Sequence, residues 1–437
     1  MNVSKYFNTN GVLQPSILLL LIAITLVIYF LITRFFKDSK PKYFLAALFL
    51  GIFLYSGFGI AYDDIDDRFV IHYTIFLASF GFPFIYCGKI KPCSNLTPFD
   101  ASLIKNIKKL RIIAFFYLFL NLIPLIFPEF RLFDLFSFKS ESIHVLRAIS
   151  RGDTIVRIAD LLGVLIAPFF YASFSIEQEL NPKTKKPVIY FIILIILEYG
   201  RYNYIGRYMI MTDIANMFLL LYCVKGFTYK IKLKHILIAL VIVLSMVPIL
   251  YLYTFIRSDE EYIGDTSFFT LFSLLIRSEF YYPAFYSDTL KHLSFMGESI
   301  EHFISYVLCL PIPSFIWPDK PSYDAIRSFT YLFTGYVQGD SGFFILLPSI
   351  LGESFINGGE KWFWVFGLIS GTVISIMFRY LCSKKSLTFY SFFIIIYGFS
   401  YARGGTMVLL PILTNGSMAV LLYDLYIKSK IKKREKK

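Results

Sequence analysis

Read for hydropathy, the chain is a succession of long apolar runs joined by short polar connections, from residue 16 to residue 427, with no interval the size of a soluble domain. A helix needs about 20 apolar residues to cross a hydrocarbon layer of about 30 Å. Eleven stretches meet or approach that length, near residues 16–36, 43–62, 69–88, 110–128, 155–176, 188–204, 205–224, 236–256, 361–381, 387–402 and 405–427. The pattern predicts an all-α polytopic integral membrane protein with about 11 transmembrane helices. It is expected to form one integrated membrane domain, with eight helices in 1–256, a large connection over 257–360, and three helices with a basic tail over 361–437.

Composition agrees. Hydrophobic residues make up 57% of the 437 and charged residues 17%, against about 25% charged in a soluble domain. A single water-soluble globule is excluded. Five cysteines form no CxxC pair, so neither a disulfide framework nor a zinc site is expected, and no metal or cofactor is predicted. Lys5 is followed by an apolar run with no small-residue cleavage site before Arg34, so the first helix is expected to be retained.

Charge sets the expected orientation. Alternate connections are basic: 34–42, 89–111, 183–186, 225–234, 379–385 and the tail 428–437. By the positive-inside rule these face the cytoplasm, which puts the C-terminus inside and the N-terminus outside. The inner side then carries about +21 and the outer side about −8, so the net charge of +13 is a topology signal and no nucleic-acid partner is expected. Residue type adds to this. The inner side holds 23 Lys and 4 Arg, the outer side 5 Lys and 11 Arg. Orientation needs only charge, whereas a forked guanidinium grips a phosphate through two hydrogen bonds. An anion is the expected partner of the outer face; depletion of Lys by insertion bias is the plainer alternative.

The outer connection 257–360 is too apolar for a floating linker. Its runs 268–276 and 303–310 are too short to span and are expected to be short interfacial helices. The apolar run 343–356, interrupted by Pro348, Gly352 and Glu353, would place the C-terminal lysines outside if it spanned, so it is expected to be re-entrant. Two outward hairpins have short first helices. One carries Glu198, Arg201 and Arg207, and the other ends at Arg403-Gly404-Gly405. These arginines, with Arg257 and Arg277, are the candidate diphosphate ligands, against snorkelling to lipid headgroups or pairing with Glu260 and Glu279. Glu353 stands apart. A carboxylate at membrane depth is costly unless compensated and its pKa is easily raised, the usual condition for a general base. Pairing with an arginine is its plainer role. His302, beside Glu298 and Glu301, is expected on a solvated helix face, and the acidic run 63–67 is attributed to charge balance.

These residues resemble a known family. The stretch Leu310-Pro311-Ile312-Pro313-Ser314-Phe315-Ile316-Trp317-Pro318-Asp319-Lys320-Pro321, then Gly335 and Gly342, then Leu351-Gly352-Glu353-Ser354-Phe355-Ile356-Asn357-Gly358-Gly359, is similar to the O-antigen polymerases called Wzy. Those proteins pair a proline-rich outer loop with a later "GE…N-x-G"; the Arg201–Arg207 hairpin resembles their arginine turn. Gly358-Gly359 departs from the aromatic-Gly commoner there. The resemblance implies a metal-independent, inverting glycosyltransferase of GT-C-like architecture. It would move a growing glycan from undecaprenyl diphosphate to a new undecaprenyl-diphosphate-linked repeat unit, alongside membrane lipids and a chain-length regulator protein. Glu353 would be the catalytic base. Lys320, Arg327, Trp317, Tyr336 and Asn357 would contact glycan or acceptor, and other outer-loop aromatics such as Tyr281, Tyr282 and Tyr331 would line its path. Two alternatives stand beside it, an O-antigen ligase acting on lipid A core and a non-enzymatic lipid-linked oligosaccharide flippase. A flippase would show two similar halves, which the sequence lacks.

Overall fold

The computed structural model describes residues 13–36, 39–62, 67–89, 107–126, 154–180, 185–200, 347–383 and 401–405, with isolated positions between 305 and 331 and residue 425. Among the described residues the structure is helical and holds no β-strand; Leu13 and Tyr62 form an isolated bridge. The long helices are α1 (Pro15–Thr33), α2 (Ser39–Ile52), α3 (Arg68–Gly81), α4 (Ile107–Ile126), α5 (Thr154–Leu180), α6 (Lys186–Gly200) and α7 (Ser349–Ser383). The chain divides into two compact units, 1–97 with 279–437, and 98–278. Among the described residues two helical stretches, Pro15–Thr33 and Arg68–Tyr86, are long and apolar enough to cross a membrane; shorter apolar helices occupy Leu48–Ala61, Arg111–Ile126 and Val188–Leu197.

In the first unit, α1 starts on a proline, which loses nothing there because the first amides of a helix have no intrahelical acceptor. Its polarity is inverted relative to a water-facing helix. Thr25 and Thr33 are buried while Leu19, Leu20, Leu26, Val27, Phe30 and Leu31 are exposed. The buried hydroxyls are satisfied within the helix, Thr25 donating to Leu21 O at 2.7 Å and Thr33 to Tyr29 O at 2.9 Å.

α2 does not continue as a regular helix over its predicted span. Phe53–Gly57 forms a wide π-type turn in which the Phe58 amide donates to Phe53 O, and a tight 3₁₀ turn, Phe58–Ala61, follows. Sterics at Gly57 explain the local geometry: a Cβ there would lie 2.9 Å from the Tyr73 ring of α3. Tyr73 is itself held by a 2.8 Å hydrogen bond with Thr25.

α3 presents Phe69, Tyr73, Phe76, Leu77 and Phe80 at helical spacing as one buried seam. Against it stand Gly367 and Gly371 of α7, one turn apart. A Cβ at Gly371 would strike the carbonyl oxygen of Phe80, and one at Gly367 would sit 2.7 Å from Ser79 Oγ. This is a small-xxx-small face, which brings two backbones close where apolar surroundings give no hydrophobic drive to associate.

α7 is two limbs, 349–358 and 360–383, broken at Gly359 (φ 59, ψ −171), a conformation open in practice only to glycine. Phe355 and Phe363 stack with centroids 4.7 Å apart, whereas eight residues of unbroken helix would separate them by about 12 Å. The chain therefore turns sharply at Gly359. The turn is close-packed, since a Cβ at Gly358 would lie 2.8 Å from the Phe363 nitrogen. The sequence separates a short apolar segment from a span over 361–381 at this place, and the two limbs meet where it does.

In the second unit α4 and α5 run antiparallel. Tyr117 packs on Phe170 (4.7 Å between centroids) and Arg111 meets Glu177, so six steps back along α4 match seven steps forward along α5. α6 packs against α4. The outward faces are again apolar, with Ile112, Phe115 and Phe119 on α4 and Ile189, Ile192 and Ile196 on α6.

Candidate functional site

Glu353 lies on the first limb of α7, two turns before the Gly359 break, and is only 5% exposed. Its carboxylate abuts the backbone of Gly405. That glycine has φ +64, and a Cβ on it would collide with Glu353 Oε2, so no larger residue fits this position on either count. Two residues earlier in the same segment, the Arg403 guanidinium stands over the Tyr55 ring, 5.9 Å from its centroid. Tyr55 belongs to the wide turn of α2, as does Ser56, which donates to Ser349 Oγ at 3.1 Å. Ser349, at positive φ (62), accepts the Gly352 amide at 3.4 Å and so caps the limb that carries Glu353. Three distant parts of the sequence, 53–57, 349–353 and 401–405, thus converge on one buried carboxylate and one guanidinium.

The turn at Gly359 is pinned beside this site. Glu360 Oε1 is 3.6 Å from Arg68 Nη1 and 3.5 Å from His72 Nε2. Arg68 and Glu360 are about half exposed, so their attraction contributes little. The His72 imidazole is better anchored: it meets Phe69, Phe355 and Phe363 edge-on at 5.6, 5.4 and 5.1 Å. These contacts lock the first limb of α7 onto α3.

Of the residues singled out from sequence, the structure brings together Glu353 and Arg403. Asn357 is half-buried on the same limb, one turn beyond Glu353. Lys320 is occupied locally, its ammonium donating to Ile312 O at 2.7 Å and its amide to Trp317 O at 3.4 Å, which cross-braces the proline-rich stretch; Trp317 is exposed. Arg201, Arg207, Arg257, Arg277, Arg327, Tyr336 and His302 lie outside the described residues. Tyr55, Ser56, Ser349 and His72 were not singled out. Pro348-Ser349 before an apolar run is a helix-start signal for Ser349. Nothing local marks Tyr55 or Ser56, whose importance comes from residues hundreds of positions away. Among the described residues no group of three or more His, Cys, Asp or Glu side chains is placed to hold a metal ion.

No protein-family model, no curated protein and no solved structure matches the chain.

Proposed function

We propose that the protein is a multi-pass inner-membrane glycosyltransferase of the O-antigen polymerase type, working at the periplasmic face on undecaprenyl-diphosphate-linked repeat units, with about 11 transmembrane helices. The observation that carries this reading is the buried Glu353 carboxylate lodged against the Arg403-Gly404-Gly405 segment. In this reading Glu353 takes the proton of the acceptor hydroxyl as it attacks the anomeric carbon. The carbon–oxygen bond to the diphosphate breaks on the opposite side and configuration inverts. Arg403 faces the charge that develops on the leaving diphosphate, where a charged hydrogen bond contributes about 1.5–3 kcal/mol.

The contacts are compatible with the alternation of sides expected from charge. Leu13–Tyr62 and Arg68–Glu360 join residues assigned to the outer side. Tyr29–Lys42 and Arg111–Glu177 join residues assigned to the inner side. The outward apolar faces of α1, α4 and α6 suit a lipid surround. Ser56, six residues before Tyr62, lies about 9 Å inward of that rim at helical rise, and Ser349 touches it. In this reading the start of the Glu353 limb lies below the outer boundary, at the depth proposed for a lipid-borne diphosphate.

Deleting the gene in the strain that carries it and resolving the lipopolysaccharide on a gel tests this. Core bearing a single repeat is the expected product. Bare core would identify a ligase, and an unaltered ladder would overturn both.

A further inference from the structure

We propose that Tyr55 is a positioning residue for the Arg403 guanidinium, and that the wide turn Phe53–Gly57 exists to place it. The inference deepens the function proposed above and rests on it.

The turn is where α2 stops being regular, and two of its consecutive residues serve the site in different ways. Ser56 donates to Ser349, fixing the limb that bears Glu353; Tyr55 lies under Arg403, fixing the other charged partner. In a regular α-helix neighbours point about 100° apart, and a single irregular turn is a common device for re-aiming side chains at functional sites. Its shape is imposed from behind. Thr25 on α1 holds the Tyr73 hydroxyl, the Tyr73 ring occupies the space where residue 57 would carry a Cβ, and Gly57 is the residue that leaves it free. Edge-on packing of Phe58 on Phe53 and on Tyr62 closes the turn from the other end. A guanidinium over an aromatic face within about 6 Å is attracted to the ring and loses rotamer freedom. An arginine so held meets an incoming diphosphate without first being ordered.

The test uses the full-length protein in lipid nanodiscs with undecaprenyl diphosphate as the probe. Dissociation constants are measured for the wild type, Tyr55→Phe, Tyr55→Leu, Arg403→Ala and the Tyr55→Leu/Arg403→Ala double variant, each checked for an unchanged melting temperature. The expected result is about fivefold weaker binding for Tyr55→Leu, within twofold of wild type for Tyr55→Phe, and no further loss from Tyr55→Leu once Arg403 is alanine. A packing role alone would shift the melting temperature and leave the cycle uncoupled. If Arg403→Ala weakens binding and Tyr55→Leu does not, or if the two losses simply add, the positioning role is overturned and the functional reading survives. If Arg403→Ala binds as the wild type does, both fall.

Discussion

Two glutamates are nearly as buried as each other, Glu177 at 4% exposure in the second unit and Glu353 at 5% in the first, yet their surroundings differ. Glu177 receives two hydrogen bonds on one oxygen from Arg111, at 2.9 Å from Nε and 2.7 Å from Nη2, between helices in antiparallel contact. That is a closed arrangement in which a single guanidinium compensates the charge and ties two helices together. Glu353 instead faces a glycine backbone whose lack of a side chain makes room for its carboxylate, with an arginine two residues along that is held by a tyrosine. Burial is common to the two carboxylates; what differs is the neighbour across from each, a guanidinium for Glu177 and a glycine backbone for Glu353.

The comparison can be broken by exchanging charge at each place. Glu353→Gln keeps volume and removes the proton acceptor, so glycan polymerisation should fall by about 10²–10⁴, a loss of about 3–5 kcal/mol in transition-state stabilisation, with the melting temperature nearly unchanged. Assays of chain elongation beside thermal unfolding read both. Arg111→Ala should do the opposite. It strands the buried Glu177 carboxylate and should lower the melting temperature, while the elongation rate per folded molecule holds. Equal activity losses in the two variants would erase the distinction.

Two smaller effects sharpen the account of why the first unit holds its shape. Gly371→Ala drives a methyl into the Phe80 carbonyl and should destabilise by about 1–3 kcal/mol, read as a lower melting temperature in detergent. Gly359→Ala meets no atom within 4 Å, so only the backbone is strained and the cost should be about 1–3 kcal/mol. A larger loss at 359 than at 371 would mean that the sharp turn, and not the close approach of α3 and α7, dominates.

Several helices among the described residues are legible in the chain before folding because length and apolarity are local, while the expected spans 205–224, 236–256, 387–402 and 405–427 lie wholly or mostly outside those residues. The runs 16–36, 110–128 and 155–176 correspond to helices within a few residues of those bounds. Gly358-Gly359 between two apolar runs permits the break at Gly359, because glycine adopts the backbone found there without a side-chain clash, but the pair by itself does not dictate it. The irregular turn in α2 is not legible. Phe53–Gly57 reads as ordinary span, and its geometry is set by a tyrosine ring from α3 and a threonine from α1. Glu353 and Arg403 are each recognisable as costly charges in apolar segments, but their proximity depends on the path of the chain between them. Gly367-Leu368-Ile369-Ser370-Gly371 carries a packing signature that hydropathy alone passes over.

The central claim is that a buried carboxylate and a held arginine form one site for transfer from a lipid diphosphate. The most direct measurement reconstitutes the purified protein in nanodiscs with lipid-linked repeat units from its own host, in the presence of a chelator, and follows release of undecaprenyl diphosphate together with glycan length. The account predicts one diphosphate lipid released per repeat added, and neither product from Glu353→Gln. Elongation that proceeds undiminished in Glu353→Gln, or release of the lipid without growth of the glycan, would contradict it.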